Sequence, residues 1–293
     1  MITSPRARLR GAWGPLLWSS AVLVVWDVLV TVAYFQRPGW FETANFPFTL
    51  FGSAIALFVG FAVNAAYNRW WEARTLWGQV VNSSRSLARQ AVVLIDDPVT
   101  STEVVHAQIA YVHALRTSLR GQPLPEEALT RLRPEAVKAV EAATNKPSAV
   151  LVAADRAVSR ARAGGDVEEI SRAQLEESFV ALSNAQGGLE RIRNTPLPVH
   201  YRVLPGLFAR VFCVVLPFAV VQDLGWATPI GSGLVGVMFL LAIKVGQDLA
   251  EPFRDGVHDI PMTSLCRTIE IDLTQVLGER SPDQLGAVDD VLW

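Results

Sequence analysis

His106 and His113 are the first residues whose type and spacing suggest chemistry: seven positions apart, they share one face of a helix. A structural zinc site needs four ligands and a catalytic one at least three. Two histidines do not complete such a set, and they read as surface or packing residues. The carboxylates Glu168, Glu169, Glu176 and Glu177 recur at helical spacing and read as a solvated face. No nucleophile elbow, phosphate loop, zinc-protease motif or dinucleotide fingerprint is present. The two cysteines, Cys213 and Cys266, give no disulfide framework. Enzyme chemistry is therefore unsupported, and no cofactor or metal is expected. A net charge of −2 gives no basic excess that would point to nucleic acid.

A different pattern carries more information. Ser53, Leu57 and Phe61 stand four apart and lie along one helix face, with Gly52 and Gly60 beside them to let backbones approach closely. Periodicity alone favours ordinary helix packing. The surroundings raise a second reading: the segment is uncharged, and polar Asn64 and Asn68 follow where it ends. A ring of such helices would form an apolar constriction opening onto a polar chamber, which is one way to restrict ion flow.

The elements that must position this face are membrane helices. Half of the 293 residues are apolar, concentrated in two blocks at roughly 15–67 and 203–245. Each block is long enough for two crossings at about 20 residues each. The expected spans are 15–35, 46–67, 203–221 and 230–245. Asp27 lies in the first, Arg210 in the third and Lys244 near the end of the fourth. A charge at mid-bilayer is costly, so Asp27 and Arg210 should face a partner helix or water. The first span ends without a convincing cleavage site and is read as retained.

Arg6, Arg8 and Arg10 precede span one; Arg69 and Arg74 follow span two; Arg202 precedes span three and Arg254 follows span four. The two intervening loops hold only Arg37 between them. The positive-inside rule then places both termini and the central region in the cytosol, in a multi-pass protein of the cell inner membrane. The sequon Asn82-Ser83-Ser84 would face the cytosol, unglycosylated.

The division expected is 1–67 for the N-terminal segment and spans one and two, 68–202 for a cytosolic helical region, 203–250 for spans three and four, and 251–293 for a cytosolic tail. The fold class is all-α, since no alternating strand pattern occurs. Span two reads as continuing toward Ile95, ended by Asp97-Pro98. A helix follows the run Thr100–Glu103 and stops at Gly121. Pro125 opens another, interrupted at Pro134. Residues 145–148 read as a linker, 149–163 as a helix, and Asp166 with Glu169 as the capping box of a last long helix ending before Pro196.

The stretch from Phe48 to Gly52, then Gly60-Phe61, then 64–78 with its core Asn68-Arg69-Trp70-Trp71-Glu72, resembles the bestrophins in their bacterial branch, and 81–90 extends the likeness. Residues 190–198, Glu-Arg-Ile-Arg-Asn-Thr-Pro-Leu-Pro, resemble that family's approach to the third span, and 247–253, Gln-Asp-Leu-Ala-Glu-Pro-Phe, the segment after the fourth. The likeness covers nearly the whole chain and is weak from 100 to 165.

The resemblance implies a homopentamer with one central pore, its neck formed by three mostly bulky apolar rings on the second helix. These positions fall on Ser53, Leu57 and Phe61, with Ser53 a departure toward a small polar side chain. A second, cytosolic constriction falls on Ile170. Animal members carry a calcium clasp in an acidic run; here that run, 254–259, keeps only Asp255 and Asp259 beside Glu251. Calcium takes six to eight oxygen ligands, so calcium activation is expected to be absent. The function implied is passive passage of small monovalent ions, with chloride the family default and cations an option for bacterial members. Its partners are its own copies, the ions and membrane lipids. The reading from another class is a membrane-anchored oligomeric scaffold or sensor that conducts nothing.

Overall fold

The computed structural model describes residues 10–37 and 47–287, and among them every regular element is helical. Phe46, the first residue of the expected second span, lies outside the described residues. The described residues form two compact units, one built from 10–37, 47–70 and 196–251, the other from 71–195 and 252–287.

The first unit is the apolar one. Helix α1 spans Arg10–Gln36, and α2 begins at Phe48 and runs 47 residues to Leu94. At 1.5 Å per residue that is about 70 Å, so only its first half belongs to this unit. Helix α8 (Val199–Leu224) and α9 (Thr228–Leu249) are joined by a single 3-10 turn, Gly225–Ala227. The reversal needs Gly225, whose φ is +52°, a value that favours glycine. The uninterrupted apolar stretch Val199–Leu249 is thus two crossings, which with α1 and the start of α2 gives four helices of spanning length.

Contacts inside this unit fix the helix directions. Phe212 packs on Phe239, and Cys213 lies close to Gly236, so α8 and α9 are antiparallel. Trp26 Nε1 donates to the Val214 carbonyl at 2.9 Å, and Phe35 stacks on Trp226 at 4.5 Å, so α1 runs parallel to α8. Asp27 is buried and sits beside Ser232 and Gly233 of α9. It therefore faces a partner helix, as its expense in lipid requires. Arg210 is exposed on α8, on the other side of the same account.

The second unit is a helical bundle around α3 (Pro98–Arg120), whose Val104, Val105, Ile109, Tyr111, Val112 and Leu115 are fully buried. Around it lie the second half of α2, the single turn α4 (Glu126–Leu129), α5 (Pro134–Ala142), α6 (Lys146–Gly164), α7 (Glu169–Asn194) and α10 (Met262–Val276). Ser84 of the sequon is buried and accepts from Gln108 Nε2 at 2.8 Å, which ties α2 to α3.

Several local expectations are corrected here. Asp97 does not merely end α2: its carboxylate accepts from the backbone N–H of Val99 (3.1 Å) and Thr100 (3.0 Å), capping α3, which begins at Pro98. Pro134 opens α5 rather than interrupting a helix, because proline at the first helical position loses no bond. Residues 145–148 are not a linker. Asn145 caps α6 by accepting from Ser148 N–H at 3.0 Å, with Pro147 in the first turn. Asp166 and Glu169 form no capping box; Asp166 N–H closes the end of α6 on the Ala161 carbonyl, and Glu168 precedes α7 without a side-chain cap. The tail 251–293 contains the 15-residue α10, which packs on α3 through the buried Met262, Ile269 and Leu273.

Candidate functional site

The first half of α2 is two-faced. Ile55, Val59 and Ala66 are buried, and Ile55 and Val59 pack with Ala209, Phe212 and Leu216 of α8 and with partly buried residues of α9. A Cβ on Gly52 would fall 2.9 Å from the Phe212 ring, so glycine there lets α2 and α8 approach. Gly60 has open space where its side chain would be and plays no such part. Arg69 Nε donates to the Ala250 carbonyl at 2.9 Å, satisfying a group the end of α9 would otherwise leave open.

The opposite face has no packing partner among the described residues of the chain. It carries Ser53, Leu57 and Phe61, with Leu57 64% and Phe61 65% exposed, and continues into the exposed Asn64 and Asn68. The structure therefore brings Ser53, Leu57 and Phe61 onto one uncharged stripe that the fold itself leaves uncovered. Ser53 Oγ donates to the Thr49 carbonyl at 2.8 Å. Its hydroxyl is thus satisfied by its own helix, and the side chain presents a small, nearly apolar surface. That back-bond is written in the Thr49/Ser53 spacing and escaped the reading from periodicity.

Ile170 belongs to the other unit. It stands in the first turn of α7 and is 73% exposed, an apolar side chain left open by the described residues.

The remaining candidates are engaged within the fold. His106 Nε2 lies 2.9 Å from Glu279 Oε1. His113 Nε2 lies 3.6 Å from Glu270 Oε2. Glu270 is held below its ordinary carboxylate range first by the His113 imidazole, with Arg267 and Arg131 adding to it and burial opposing. Cys266 is enclosed, its thiol pushed up to about 12 chiefly by burial, which makes it inert.

In the acidic run 254–259, where the family resemblance would put a calcium clasp, Asp255 adopts φ +74° and is paired with the buried guanidinium of Arg120. Asp259 accepts from the Gly256 N–H at 2.7 Å. One carboxylate facing a guanidinium and one closed on its own turn do not fit a calcium ion, which would need both free among six or more oxygens. No group of three or more His, Cys, Asp or Glu among the described residues is placed to hold a metal.

Comparison with known proteins agrees with this architecture. The family model described as Bacterial/Fungal Bestrophin protein matches residues 9–275. The voltage-dependent anion channel-forming protein YneE of Salmonella typhi is 33% identical over 275 residues, 90% of each chain. YneE of Escherichia coli strain K12 is 36% identical over 233 residues, 80% of this chain and 77% of that one. The crystal structure of a bacterial Bestrophin homolog from Klebsiella pneumoniae matches with a TM-score of 0.85 at 28% identity, covering 90% of this chain and 99% of that chain.

Proposed function

The chain belongs to the bestrophin family, in its bacterial and fungal branch, and from that premise we propose that it forms a homopentameric channel passing small monovalent ions through a neck lined by α2. The observation that carries the assignment of the neck is the bare face of that helix. Ser53, Leu57 and Phe61 occupy the side of α2 that meets neither α8 nor α9, and two of the three expose large apolar side chains. An apolar stripe uncovered by its own chain gains most from enclosure by copies of itself around an axis.

In such a ring Leu57 and Phe61 form narrow apolar collars, while Ser53 leaves the outer collar wider. Asn64 and Asn68 offer amides to ions rehydrating below the neck. Ile170 is assigned to the second, cytosolic constriction on the strength of its exposure in the first turn of α7. An apolar groove of about 750 Å³ between α2 and α9, lined by Val63, Met238, Ala242 and Val245 among others, is available to a neighbouring subunit.

The argument for direction rests on charge. Arginines flank the ends of the four spans at one side in the sequence, and by the positive-inside rule that side, with both termini, is assigned to the cytosol of the inner membrane. Chloride is taken as the permeant ion because the relatives bear anion-channel names. The three neck residues carry no charge, so the sign of the ion is set outside the neck.

Purified protein in liposomes with asymmetric potassium chloride tests the whole reading. A particle of five chains with a reversal potential following the chloride gradient is the expected result. A potential following potassium would replace the ion and leave the channel. A stable monomer, or a pentamer without conductance, would favour the scaffold and remove the pore.

A further inference from the structure

Helix α3, the turn α4 with the segment after it, and α10 line a cavity of about 550 Å³ that holds none of the residues assigned to the neck or the cytosolic constriction. Its volume lies in the range typical of small-molecule sites. Four basic side chains converge on it: His113 and Arg116 from α3, Arg131 beyond α4, and Arg267 from α10.

Three of these surround one carboxylate. Glu270 takes Arg131 at 2.6 Å, Arg267 at 3.3 Å and His113 at 3.6 Å. The cluster is over-supplied with positive charge before Arg116 is counted. Arg116 donates from Nη1 to Thr263 Oγ1 at 3.2 Å, and its Nε is buried without a hydrogen-bond partner. The Nδ1 of His113 is likewise buried and unpartnered. Among the described residues Arg116 meets a hydroxyl and no carboxylate, so its guanidinium charge is left for something else to balance. Among the described residues, Glu127, exposed and also lining the cavity, is the only other carboxylate there.

We propose that this cavity binds a small soluble molecule bearing a phosphoryl group. Its oxygens would take the terminal N–H groups of Arg116, Arg267 and Arg131. A phosphoryl group fits because it offers several strong acceptors to guanidinium forks, and guanidinium matches it in planar geometry. A comparably sized cavity of about 520 Å³, lined by residues of α3, α5 and α6, provides the contrast. There Arg133 and Arg160 both close on Glu103, at 2.7 and 2.6 Å, and neither guanidinium leaves a buried nitrogen open. Occupancy of the first cavity would bridge α3 to α10, and so couple a cytosolic metabolite to a helix that the tail contributes.

The test uses the full-length assembled protein, with inorganic pyrophosphate as the probe at constant ionic strength and potassium chloride as the control salt. Calorimetry is expected to show saturable binding, weakened about tenfold or more in Arg116→Gln. Arg116→Lys should restore part of it, and Arg160→Gln, at the other cavity, should leave it unchanged. If Arg116→Gln fails to assemble, Arg267→Gln is held to the same criterion. Absence of saturable binding at millimolar pyrophosphate, or equal binding by wild type and the assembled variant, overturns the proposal. So does stabilisation by phosphatidylglycerol vesicles with no response to pyrophosphate, which would give the cavity to a lipid headgroup. No conductance is read, so the outcome is separate from that of the channel proposal.

Discussion

The two units of this chain solve opposite problems with the same element. In the unit of α1, α8, α9 and the start of α2, large apolar side chains such as Leu50, Leu57, Phe61 and Ile230 stand exposed, and the polar groups are few. In the unit around α3, the apolar residues of the core, Val104, Ile109 and Leu115 among them, are sealed at zero exposure, and the surface is laced with pairs such as Arg172 with Asp155 and Glu176. A helix that faces lipid and sister subunits keeps its apolar atoms outside; one that faces water hides them and spends its charges in pairs. The same α2 obeys both rules along its length, with Leu57 exposed in its first half and Trp77, Val80 and Leu87 fully buried in its second. Exposure of an apolar side chain is therefore informative only once the surrounding medium is known.

The largest expected effect sits where that contrast is sharpest. Leu273→Ala, in the seam between α10 and α3, should destabilise the water-facing unit by about 2–5 kcal/mol, as buried leucine truncations do. Leu57→Ala should cost that folded unit nothing measurable. Chemical denaturation of the two variants, followed by far-ultraviolet circular dichroism, compares them directly. Equal losses would erase the distinction.

Next in size is the change expected at the neck. Leu57→Ala/Phe61→Ala removes bulk from two collars, each repeated by symmetry, so conductance or open probability should rise several-fold while the particle mass is unchanged. If the two side chains are instead packing residues, the assembly loosens. Mass and single-channel current on one preparation separate the outcomes, and an intact particle with unchanged current would place the narrow path elsewhere.

Acid should act on the water-facing unit through Glu270. Its carboxyl is held below the ordinary range by His113, Arg267 and Arg131, with burial opposing, while Arg116 and Glu127 line the same cavity. A depressed folded value means the stabilisation is present above the unfolded value, about 4.3, and is lost as pH falls through the folded one. The melting temperature of wild type should therefore drop below about pH 4 more steeply than that of Glu270→Gln, which has nothing to protonate there. Parallel curves would remove Glu270 from the account.

Much of this was legible in the sequence because the bilayer simplifies the code. Twenty apolar residues flanked by arginines admit few structures, and the four spans and their alternation follow from hydropathy and charge. Helix ends in the water-facing unit were harder, because Asp, Asn and Pro serve equally as terminators and as caps. Asp97, Pro134 and Asn145 each begin a helix where termination or a linker was expected. Helix α10 was missed since Met262, Ile269 and Leu273 repeat over too few turns to stand out in a polar tail. At the neck, the spacing of Ser53, Leu57 and Phe61 fitted packing and pore alike. Only the position of α8 and α9 on the other side of α2 shows which face is free.

The smallest effect expected is none at all, and it concerns the acidic run after α9. Asp255 is paired with Arg120, whose side chain is only 5% exposed and whose guanidinium is held below its ordinary value by burial, with Asp255 opposing that shift. Calcium entering there would have to displace a tethered cation and then find oxygen ligands that the segment does not supply, since Asp259 is bound to the Gly256 N–H. Chelation or addition of calcium should therefore move neither the melting temperature nor the conductance. A stabilisation by micromolar calcium that disappears in Asp255→Ala would show that the guanidinium yields its place. The water-facing unit would then hold a regulatory ion where the structure shows a fixed internal pair.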